Sequence, residues 1–323
     1  MLKVGLIGCG FMGSMHANCY NNIPDAKVTA VADLRPEKAA ELAKISDAAI
    51  YTTGKELIEN ADVDIIDICL PTYLHAEHAL LAMDKVKYVF VEKPVTLTLE
   101  EGKALIAKAA ETGAQVQVGQ VIRFWDEYVE LKKIVESGKY DKVINANFRR
   151  ISPLPTWGWE NWLLDKSKSG GAGQDLHIHD VDYVLSLFGE PKTYYSVKND
   201  NNGYVNTLMN YGDFVVGVEG TWDLPVCHPF QATFRVVFEK AVVENADGKF
   251  LCYTDEGAEE IKIEKVALSG GVSGGNISDL GGYYNELVYF CDKAAKGEKI
   301  EKATVCDAVA SLDFLLRELN FKG

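Results

Sequence analysis

A glycine-rich turn directly after a short apolar run is the feature that most constrains how this chain can fold. The run Lys3–Ile7 leads into Gly8, Gly10 and Gly13, which have the spacing GxGxxG. A second apolar run, Lys27–Asp33, ends on an acid, about twenty residues after the turn as a ribose-binding acid should be. This context makes a weak pattern a strong prediction of a strand, a tight turn and a helix that together bind a dinucleotide.

The three glycines have separate roles in such a turn. Gly8 allows the bend out of the strand, Gly10 lets the backbone approach a pyrophosphate, and Gly13 lets the helix pack closely on the sheet. The N-terminus of the helix offers N–H groups and a partial positive charge to the phosphates, so we expect Phe11 and Met12 to contact the cofactor. A glycine-rich turn that binds no nucleotide is the alternative.

The acid that ends the second apolar run indicates which dinucleotide binds. Asp33 is placed to accept hydrogen bonds from the adenosine ribose hydroxyls, and its carboxylate would repel a 2′-phosphate. The sequence therefore favours NAD over NADP. Arg35, two residues on, leaves NADP open, because an arginine at this point can accommodate the 2′-phosphate.

Length, charge and cysteine content narrow the class of protein. A chain of 323 residues is long enough for two domains, and a net charge of −14 argues against a nucleic-acid or anionic-membrane partner. The seven cysteines are scattered without a CxxC pair, which favours a reducing cytoplasm and offers no disulfide or zinc framework. The turn lies too near the first residue for a signal peptide, and no apolar stretch is long enough to span a bilayer. We expect a soluble, cytoplasmic protein.

The first third of the chain alternates strand-like and helix-like segments, which predicts an α/β Rossmann domain over residues 1–120 with a parallel sheet. Strands are predicted at Val4–Ile7, Val28–Ala32, Ala49–Thr52, Ile65–Leu70, Tyr88–Val91 and Gln115–Val118. Helices are predicted at His75–Met83 and Leu99–Thr112. Thr98 and Glu101 form a capping box for the second helix, and Gly113 ends it.

The pattern changes after about Gly119, which predicts a second domain over residues 121–323 for substrate binding and oligomerisation. Its strands are predicted at Val143–Arg150, Thr193–Lys198, Tyr204–Asn210, Phe214–Trp222, Ala232–Phe238, Ala241–Glu244, Phe250–Thr254 and Glu260–Glu264. Its helices are predicted at Asp126–Ser137, Asp175–Phe188, Tyr283–Lys296 and Ala303–Leu319, the third of them after the glycine-rich stretch Ser269–Gly282. Successive strands with short polar turns favour an α+β domain with a large, mostly antiparallel sheet.

Two segments follow neighbouring strands at the predicted ligand-binding edge. Leu70, Pro71, Thr72 and His75 come after the fourth strand, and Glu92-Lys93-Pro94 follows the fifth. Because ligands of an open α/β sheet bind outside the carboxyl ends of the strands, we expect both segments to contact the cofactor, with Lys93 toward the nicotinamide half. A solvated lysine at a strand end is the alternative. Pro94 would hold the turn, through a cis bond if need be, since only X-Pro bonds form cis cheaply.

A second polar cluster falls in a predicted helix. Asp175, His179 and Asp182 have the spacing i, i+4 and i+7, which places them on one face of a regular helix. A carboxylate one turn from an imidazole can orient it and raise its basicity, and a buried helix-capping network is the alternative. His177 falls on another face than His179, so the pair cannot chelate a metal from a regular helix, and we expect no metal site.

An aromatic loop and one arginine are candidates for substrate contact. Trp157, Trp159 and Trp162 lie within six residues, and their indole rings could form the floor of a sugar site. They could equally bury the loop on the sheet or fill a subunit interface. Arg123, at the predicted domain junction, either contacts substrate or belongs to a salt bridge. We take Trp157, Trp162 and Arg123 as predicted substrate contacts.

Together these motifs resemble the glucose-fructose oxidoreductase / inositol dehydrogenase (Gfo/Idh/MocA) family. The matching motifs are Gly8-Cys-Gly10-Phe-Met-Gly13, Glu92-Lys93-Pro94 and Asp175-Leu-His-Ile-His179-Asp180, in the family's order and spacing. With the antiparallel second half, the likeness spans nearly the whole chain. The resemblance implies an NAD(P)-dependent oxidoreductase of a sugar, polyol or related cyclic alcohol. It also implies that Lys93, Asp175 and His179 converge on the substrate, and that the second-domain sheet forms a homodimer or homotetramer.

Oxidation of a carbinol needs a base for the hydroxyl proton. A histidine pKa near ~6.5 suits neutral pH better than a lysine pKa near ~10.4. We therefore expect His179 to be the general acid/base, Asp175 to orient it, and Lys93 to stabilise charge on the reacting oxygen. The alternative makes Lys93 the base, its pKa lowered by burial and by the cationic nicotinamide ring. An NAD-dependent glycosidase that uses the hydride transiently, and a non-catalytic NAD sensor, are the competing functions.

Overall fold

The computed structural model describes residues 1–199, 203–272 and 280–322. Residue contacts divide the chain into two compact units. Unit 1 comprises Met1–Val121, Ser167–Ser169 and Val266–Ala310, and unit 2 comprises Ile122–Lys166, Gly170–Lys265 and Ser311–Gly323. Residues 273–279 of the glycine-rich stretch lie outside the described ranges.

Unit 1 is built on a parallel sheet, which the described residues form from six strands in the order β3-β2-β1-β4-β5-β6. The strands are β1 (Leu2–Ile7), β2 (Ala26–Ala32), β3 (Ala49–Tyr51), β4 (Ile65–Ile68), β5 (Tyr88–Val91) and β6 (Gln115–Val118). Every residue of β4 and β5 is buried, as expected for strands covered by helices on both faces. The predicted Rossmann fold is confirmed.

The helices of unit 1 begin and end where local sequence signals place them. They are α1 (Phe11–Tyr20), α2 (Pro36–Ser46), α3 (Gly54–Asn60), α4 (His75–Lys85), α5 (Leu99–Thr112) and α9 (Gly281–Lys296). The predicted capping box of α5 is present, with Thr98 accepting from the Glu101 N–H and Glu101 accepting from Thr98. Gly113 ends the same helix in the left-handed conformation at φ 75, which glycine adopts without strain.

The strand order fixes where a ligand can bind in unit 1. The chain reverses direction across the sheet between β1 and β4, which are hydrogen-bonded neighbours. The crevice outside the carboxyl ends of the strands at such a switch point is where doubly wound folds bind dinucleotides. The segments that follow β1, β4 and β5 therefore share the ligand-binding edge.

Unit 2 contains a second sheet, in which eight described strands have the order β14-β13-β12-β11-β7-β10-β9-β8. The strands are β7 (Val143–Pro153), β8 (Thr193–Lys198), β9 (Tyr204–Asn210), β10 (Val215–Leu224), β11 (Gln231–Phe238), β12 (Val242–Ala246), β13 (Lys249–Thr254) and β14 (Gly257–Glu260). β7 and β10 pair in parallel, and the other neighbours pair antiparallel. The predicted mostly antiparallel sheet is confirmed.

The remaining helices are α6 (Asp126–Ser137), α7 (Lys166–Ser169), α8 (Ile178–Phe188) and α10 (Val305–Leu319). Short 3₁₀ segments occur at Thr72–Leu74, Val121–Arg123 and Trp159–Leu164, and Gly173–His177 is a π-helical turn that runs into α8. The prediction of one regular helix over Asp175–Phe188 is therefore wrong at its first turn. Among the described residues, no helix is both long enough and apolar enough to cross a membrane.

Two further predictions differ from the structure. The strand expected at Glu260–Glu264 lies earlier, at β14, where four exposed residues pair with the edge of β13, so alternation of polar and apolar residues could not locate it. Residues 266–310, assigned from the sequence to the second domain, belong to unit 1. In that unit α9 packs on α1, and Thr304 forms a bridge with Gln117 of β6.

Candidate functional site

The glycine turn of unit 1 combines two crowded positions with one open position. Gly8 has φ +97, and a Cβ there would lie 2.5 Å from the Cys69 carbonyl oxygen. A Cβ on Gly13 would clash with the Gly8 carbonyl oxygen, so the turn itself requires both glycines. A Cβ on Gly10 would meet only the Arg35 Nη2 atom, at 3.8 Å. Helix α1 begins directly afterwards, with no side-chain cap from Gly10, so the open cradle fits a pyrophosphate at a helix N-terminus.

Asp33 lies beside this turn and is fully engaged by hydrogen-bond donors. Its carboxylate accepts from the Cys9 N–H at 2.8 Å, the Arg35 N–H at 2.8 Å, and the Arg35 Nε and Nη2 groups, each at 2.9 Å. These bonds hold the pKa of Asp33 below its usual value although burial opposes ionisation. A carboxylate offers about four acceptor sites, and these four hydrogen bonds occupy them; contact of Asp33 with a ribose stays a prediction. Sequence reasoning placed both residues here but not their pairing.

The segment after β4 is held to the segment after β5 by an imidazole. The His75 ring lies 2.7 Å from the Leu70 carbonyl oxygen through Nε2 and 2.9 Å from the Pro94 carbonyl oxygen through Nδ1. His75 is buried, so it acts as a brace between two loops of the ligand-binding edge. The buried Thr72 hydroxyl has no hydrogen-bond partner among the described residues, which leaves it available to a ligand. Cofactor contact by Leu70, Pro71, Thr72 and His75 stays a prediction.

The Glu92-Lys93-Pro94 turn begins where β5 ends, and its Lys93–Pro94 bond is cis. The Lys93 backbone N–H donates to the Glu92 Oε2 atom at 3.0 Å. Glu92 is buried, whereas Lys93 is half-buried. A cation at the carboxyl end of a central strand is therefore fixed at its backbone by its own neighbour, with the side chain at the edge where the fold binds ligands.

In unit 2 the predicted polar helix face divides into two sets. Asp175 lies in the π-helical turn and His179 in the first turn of α8, and both are half-buried. Asp182 is fully buried. The sequence predicts the three residues on one face of a regular helix; because Asp175 lies in a π-helical turn, its alignment with His179 and Asp182 stays a prediction. π turns inserted in helices are frequent at functional sites.

The Asp182 carboxylate accepts hydrogen bonds from residues of its own unit. The Arg123 guanidinium donates to it in a bidentate pair, Nε to Oδ2 at 2.6 Å and Nη2 to Oδ1 at 2.7 Å, and the Ser311 hydroxyl donates to Oδ1 at 2.8 Å. The salt-bridge alternative for Arg123 is thus present in the structure. Its predicted contact with substrate stays a prediction.

The aromatic loop leaves two of its indole rings on the surface. Trp157 is 41% exposed and Trp159 is 36% exposed, so these two rings do not bury the loop on the sheet. Glu160 and Asn161 adopt left-handed backbone conformations, with φ 50 and φ 53, which non-glycine residues rarely do. Surface indoles of this kind fit a sugar face or a second subunit.

Two buried polar groups of unit 2 were missed from the sequence. His177 Nε2 lies 2.7 Å from Glu318 Oε1, and the Thr207 hydroxyl donates to the same oxygen. Arg150 Nε donates to Asp180 Oδ2 at 2.7 Å. Strand β10 closes on the π turn, since a Cβ on Gly220 would lie 2.6 Å from His177 Nδ1. Two buried polar pairs, made by His177 and by Asp180, therefore lie on either side of His179 along the chain.

Unit 1 contains a further buried group that sequence reasoning missed. Among the described residues, His16 belongs to two groups, one with Asp67 and Cys69 and one with Glu92 and Glu286, and the ligand atoms within each group are close enough together to hold a metal ion. The signal in the sequence was Asp67, a charged residue inside the apolar strand Ile65–Ile68, which is placed there only when it is paired.

Comparison with known proteins agrees with this architecture. Residues 2–120 match an oxidoreductase family model described as an NAD-binding Rossmann fold, and residues 128–244 match the GFO/IDH/MocA C-terminal domain. The chain is 32% identical over 216 residues to scyllo-inositol 2-dehydrogenase (NAD(+)) of Bacillus subtilis, covering 66% of this chain and 61% of that protein. It is 29% identical over 200 residues to 2,7-anhydro-N-acetylneuraminate hydratase of Escherichia coli, covering 60% of this chain and 51% of that protein.

A solved structure shares the fold over nearly the whole length. Levoglucosan dehydrogenase in complex with NADH and levoglucosan superposes with a TM-score of 0.85 at 21% identity, covering 99% of this chain and 97% of that chain. The sequence matches span only about half to three fifths of the two curated relatives. The two family models together cover most of the chain, and it belongs to the Gfo/Idh/MocA family of oxidoreductases, with an NAD-binding Rossmann domain at its N-terminus.

Proposed function

We propose that the protein is an NAD(P)-dependent oxidoreductase that transfers a hydride between nicotinamide and a CH–OH group of a sugar, polyol or related cyclic alcohol. The observation that carries the proposal is the edge of the sheet in unit 1. The open Gly10 cradle follows β1 and the Lys93 turn follows β5, at the switch point where this fold binds dinucleotides. The inositol dehydrogenase relative supports the substrate class.

Each polar residue has one role in this proposal. Bound NAD would supply the acceptor for the hydride that leaves the carbinol carbon. His179 takes the hydroxyl proton, since an imidazole titrates near working pH. Asp175 orients His179, and the Lys93 ammonium stabilises negative charge on the reacting oxygen. The runner-up assignment makes Lys93 the base.

The test is a panel of inositols, sugars and anhydro sugars with NAD and with NADP, read as absorbance at 340 nm. Steady NADH or NADPH formation with at least one member supports the proposal. Absence of turnover across the panel, with binding of NAD shown by calorimetry, would instead support a non-catalytic sensor.

A second candidate is an enzyme that borrows the hydride and returns it. One relative carries the name of a hydratase, and adding water to a substrate involves no net oxidation. An NAD-dependent glycosidase of the same fold is the form of this chemistry that we propose as the alternative. Cleavage of aryl glycosides that requires NAD but accumulates no NADH would identify it.

Asp33 and Arg35 lead to a prediction about cofactor choice. In Asp33→Ser the carboxylate that repels a 2′-phosphate is gone and the Arg35 guanidinium is released. We therefore expect the ratio of kcat/KM for NADP over NAD to rise about tenfold or more, equivalent to about 1.4 kcal/mol. The double variant Asp33→Ser/Arg35→Ala is the control and should lose the gain. An unchanged ratio in the single variant would remove Asp33 from the adenosine site.

We further propose that the protein is a homodimer or homotetramer formed through the sheet of unit 2, and that it works in the cytoplasm on a small molecule, without a nucleic-acid or membrane partner. Tyr195 pairs across strands with Leu208, and the two are 57% and 50% exposed beside Val197. Such an apolar patch fits a second copy. None of the seven cysteines is in a disulfide, which supports a reducing compartment. Light scattering that finds only a monomer would contradict the assembly.

A further inference from the structure

Unit 1 holds a buried charge cluster that the proposed chemistry leaves unused. We name His16, Asp67, Glu92 and Glu286 the His16 cluster. His16, Asp67 and Glu286 are 0% exposed and Glu92 is 5% exposed. They come from α1, from β4, from the end of β5 and from α9. Burying four ionisable groups costs free energy unless the groups are paired with one another.

His16 connects two of the carboxylates. Its Nδ1 atom lies 2.8 Å from Asp67 Oδ2, and its Nε2 atom lies 3.1 Å from Glu92 Oε1. The Tyr20 hydroxyl donates to Asp67 at 3.0 Å. Burial opposes the charged form of His16, but Asp67 and Cys69 together outweigh burial and raise the pKa of His16. The two nearby carboxylates favour the imidazolium form of His16.

Glu92 carries the connection on to Lys93. Its second oxygen, Oε2, accepts the Lys93 backbone N–H at 3.0 Å. A Cβ on Gly119 would lie 3.0 Å from Glu92 Oε1, so a glycine there leaves room for the carboxylate. Glu92 is thus held between an imidazole and a backbone N–H, with β6 closing on it.

Glu286 completes the cluster. Neither of its carboxyl oxygens has a hydrogen-bond partner among the described residues, yet one of them lies within 4.8 Å of a His16 ring nitrogen and of a Glu92 carboxylate oxygen. Burial raises the pKa of Glu286, and the nearby Glu92 raises it further. A neutral carboxylic acid can place an O–H toward Glu92, whereas a third carboxylate would add repulsion.

We infer that His16 and Glu286 are positioning residues that hold Glu92 and, through its bond to the Lys93 N–H, fix the Lys93 side chain for catalysis. The inference rests on the proposed function of Lys93. The His16 imidazole lies against one side of Glu92 in a 3.1 Å ion-pair contact, Glu286 lies close on another, and Asp67 holds the imidazole in place. None of the three needs to touch substrate or cofactor.

The first experiment compares His16→Gln with the matched control His78→Gln. His78 lies in α4, and its Nδ1 is 2.9 Å from the Leu74 carbonyl oxygen, outside the His16 cluster. We expect His16→Gln to lower kcat about 10- to 100-fold, because small misplacements of a reacting group have effects of that size. KM for NAD should stay within about threefold of wild type on the same reasoning. A kcat equal to wild type, or a loss matched by His78→Gln, overturns the inference.

A readout without turnover is the pH dependence of Lys93 acetylation, followed by mass spectrometry in the presence of NAD. Without the imidazolium, Glu92 is less neutralised and favours the ammonium form of Lys93. The midpoint for labelling should therefore move to higher pH in His16→Gln and stay in place in His78→Gln. A midpoint that is unchanged or lower overturns the inference. Suppose that wild type turns over no sugar or polyol, but that the labelling midpoint of His16→Gln is still shifted. The proposed function would then be wrong, whereas the positioning of Lys93 by the His16 cluster would stand.

Glu286→Gln tests the buried proton. The groups that face the cluster are Tyr20 from α1, Asp67 and Cys69 at β4, Glu92 at β5, and Glu286, Tyr283 and Cys291 from α9. The pKa of Glu286 is higher in the folded than in the unfolded protein. The protonated side chain therefore contributes its full stabilisation of the fold below about pH 4.5, and this stabilisation is lost as the pH rises through the folded pKa. The Tm of Glu286→Gln relative to wild type should therefore rise as the pH increases above about 4.5.

Two results would contradict the proton-holding role. A Tm difference that does not change with pH would mean that Glu286 holds no extra proton in the folded protein. Stoichiometric metal in purified wild type that is lost in Glu286→Gln would replace the proton with a cation bound by His16, Glu92 and Glu286.

For the positioning role, Glu286→Ala should lower kcat, and Glu286→Gln should recover most of that loss because the amide keeps the volume and a donor. Equal losses in both variants overturn it.

Discussion

Replacing His179 with glutamine is expected to lower kcat by about 10²–10⁴, the usual loss when a general acid/base is removed. Glutamine keeps much of the side-chain volume and a hydrogen-bond donor, but it cannot take a proton near neutral pH. KM for NAD should change little, since the loss falls on the chemical step. The measurement is steady-state kinetics with the substrate that the panel identifies, with thermal unfolding as a check on folding.

Two comparisons make the assignment falsifiable. His78→Gln removes an imidazole from α4 and should leave kcat unchanged. Lys93→Met should also lower kcat, but it should retain the acidic limb of the pH–rate profile that belongs to the histidine, and His179→Gln should lose that limb. Near-normal kcat in His179→Gln together with an inactive Lys93→Met would make Lys93 the base.

The sheet of unit 1 was predictable because its signals are local. Strand β5 is Tyr88–Val91 in both sequence and structure, and α5 is Leu99–Thr112 in both. The apolar runs mark strands buried on both faces, and the Thr98 capping box with Gly113 marks both ends of a helix. These features depend on residues within a few positions of each other.

The parts that could not be predicted depend on residues far apart in the chain. His177 pairs with Glu318 across 141 positions, and Arg150 pairs with Asp180 across 30. The π turn before α8 is such a case, since β10 approaches it through Gly220. The spacing of Asp175 and His179 suggested a regular helix, because sequence spacing carries no information about an inserted residue.

The candidate site shows the same division. The glycine turn, Asp33 and the Glu92-Lys93-Pro94 turn were located by their position after apolar runs. The hydrogen bonds from Arg35 to Asp33, and those by which His75 connects two loops, depend on side-chain positions that the sequence does not give. Sequence identifies which residues reach the ligand-binding edge, and packing decides which of them already have a partner there.

Replacing Arg150 with methionine is expected to lower the free energy of unfolding of unit 2 by about 3–5 kcal/mol, because it leaves Asp180 as a buried charge without its partner. Arg150 is 2% exposed and Asp180 is 0% exposed. The guanidinium also lies 5.6 Å from the Trp125 ring centre, so methionine keeps part of the packing but none of the charge.

The chain supplies a matched control one residue away. Arg149, on the opposite face of β7, pairs with Glu219 at 2.9 Å with side-chain exposures of 48% and 28%. Arg149→Met should change the free energy of unfolding by only about 0–1 kcal/mol, as is usual for ion pairs in contact with solvent. The double variant Arg150→Met/Asp180→Leu should recover part of the loss, because no buried charge then remains.

Tryptophan fluorescence during urea unfolding measures the right part of the molecule. All five tryptophans, at positions 125, 157, 159, 162 and 222, lie in unit 2, so the signal follows that unit. A similar loss in Arg149→Met and Arg150→Met would show that burial does not separate the two pairs. A double variant no more stable than Arg150→Met alone would show that the loss came from packing, and the buried pair would then have no special place in holding α8 on β7.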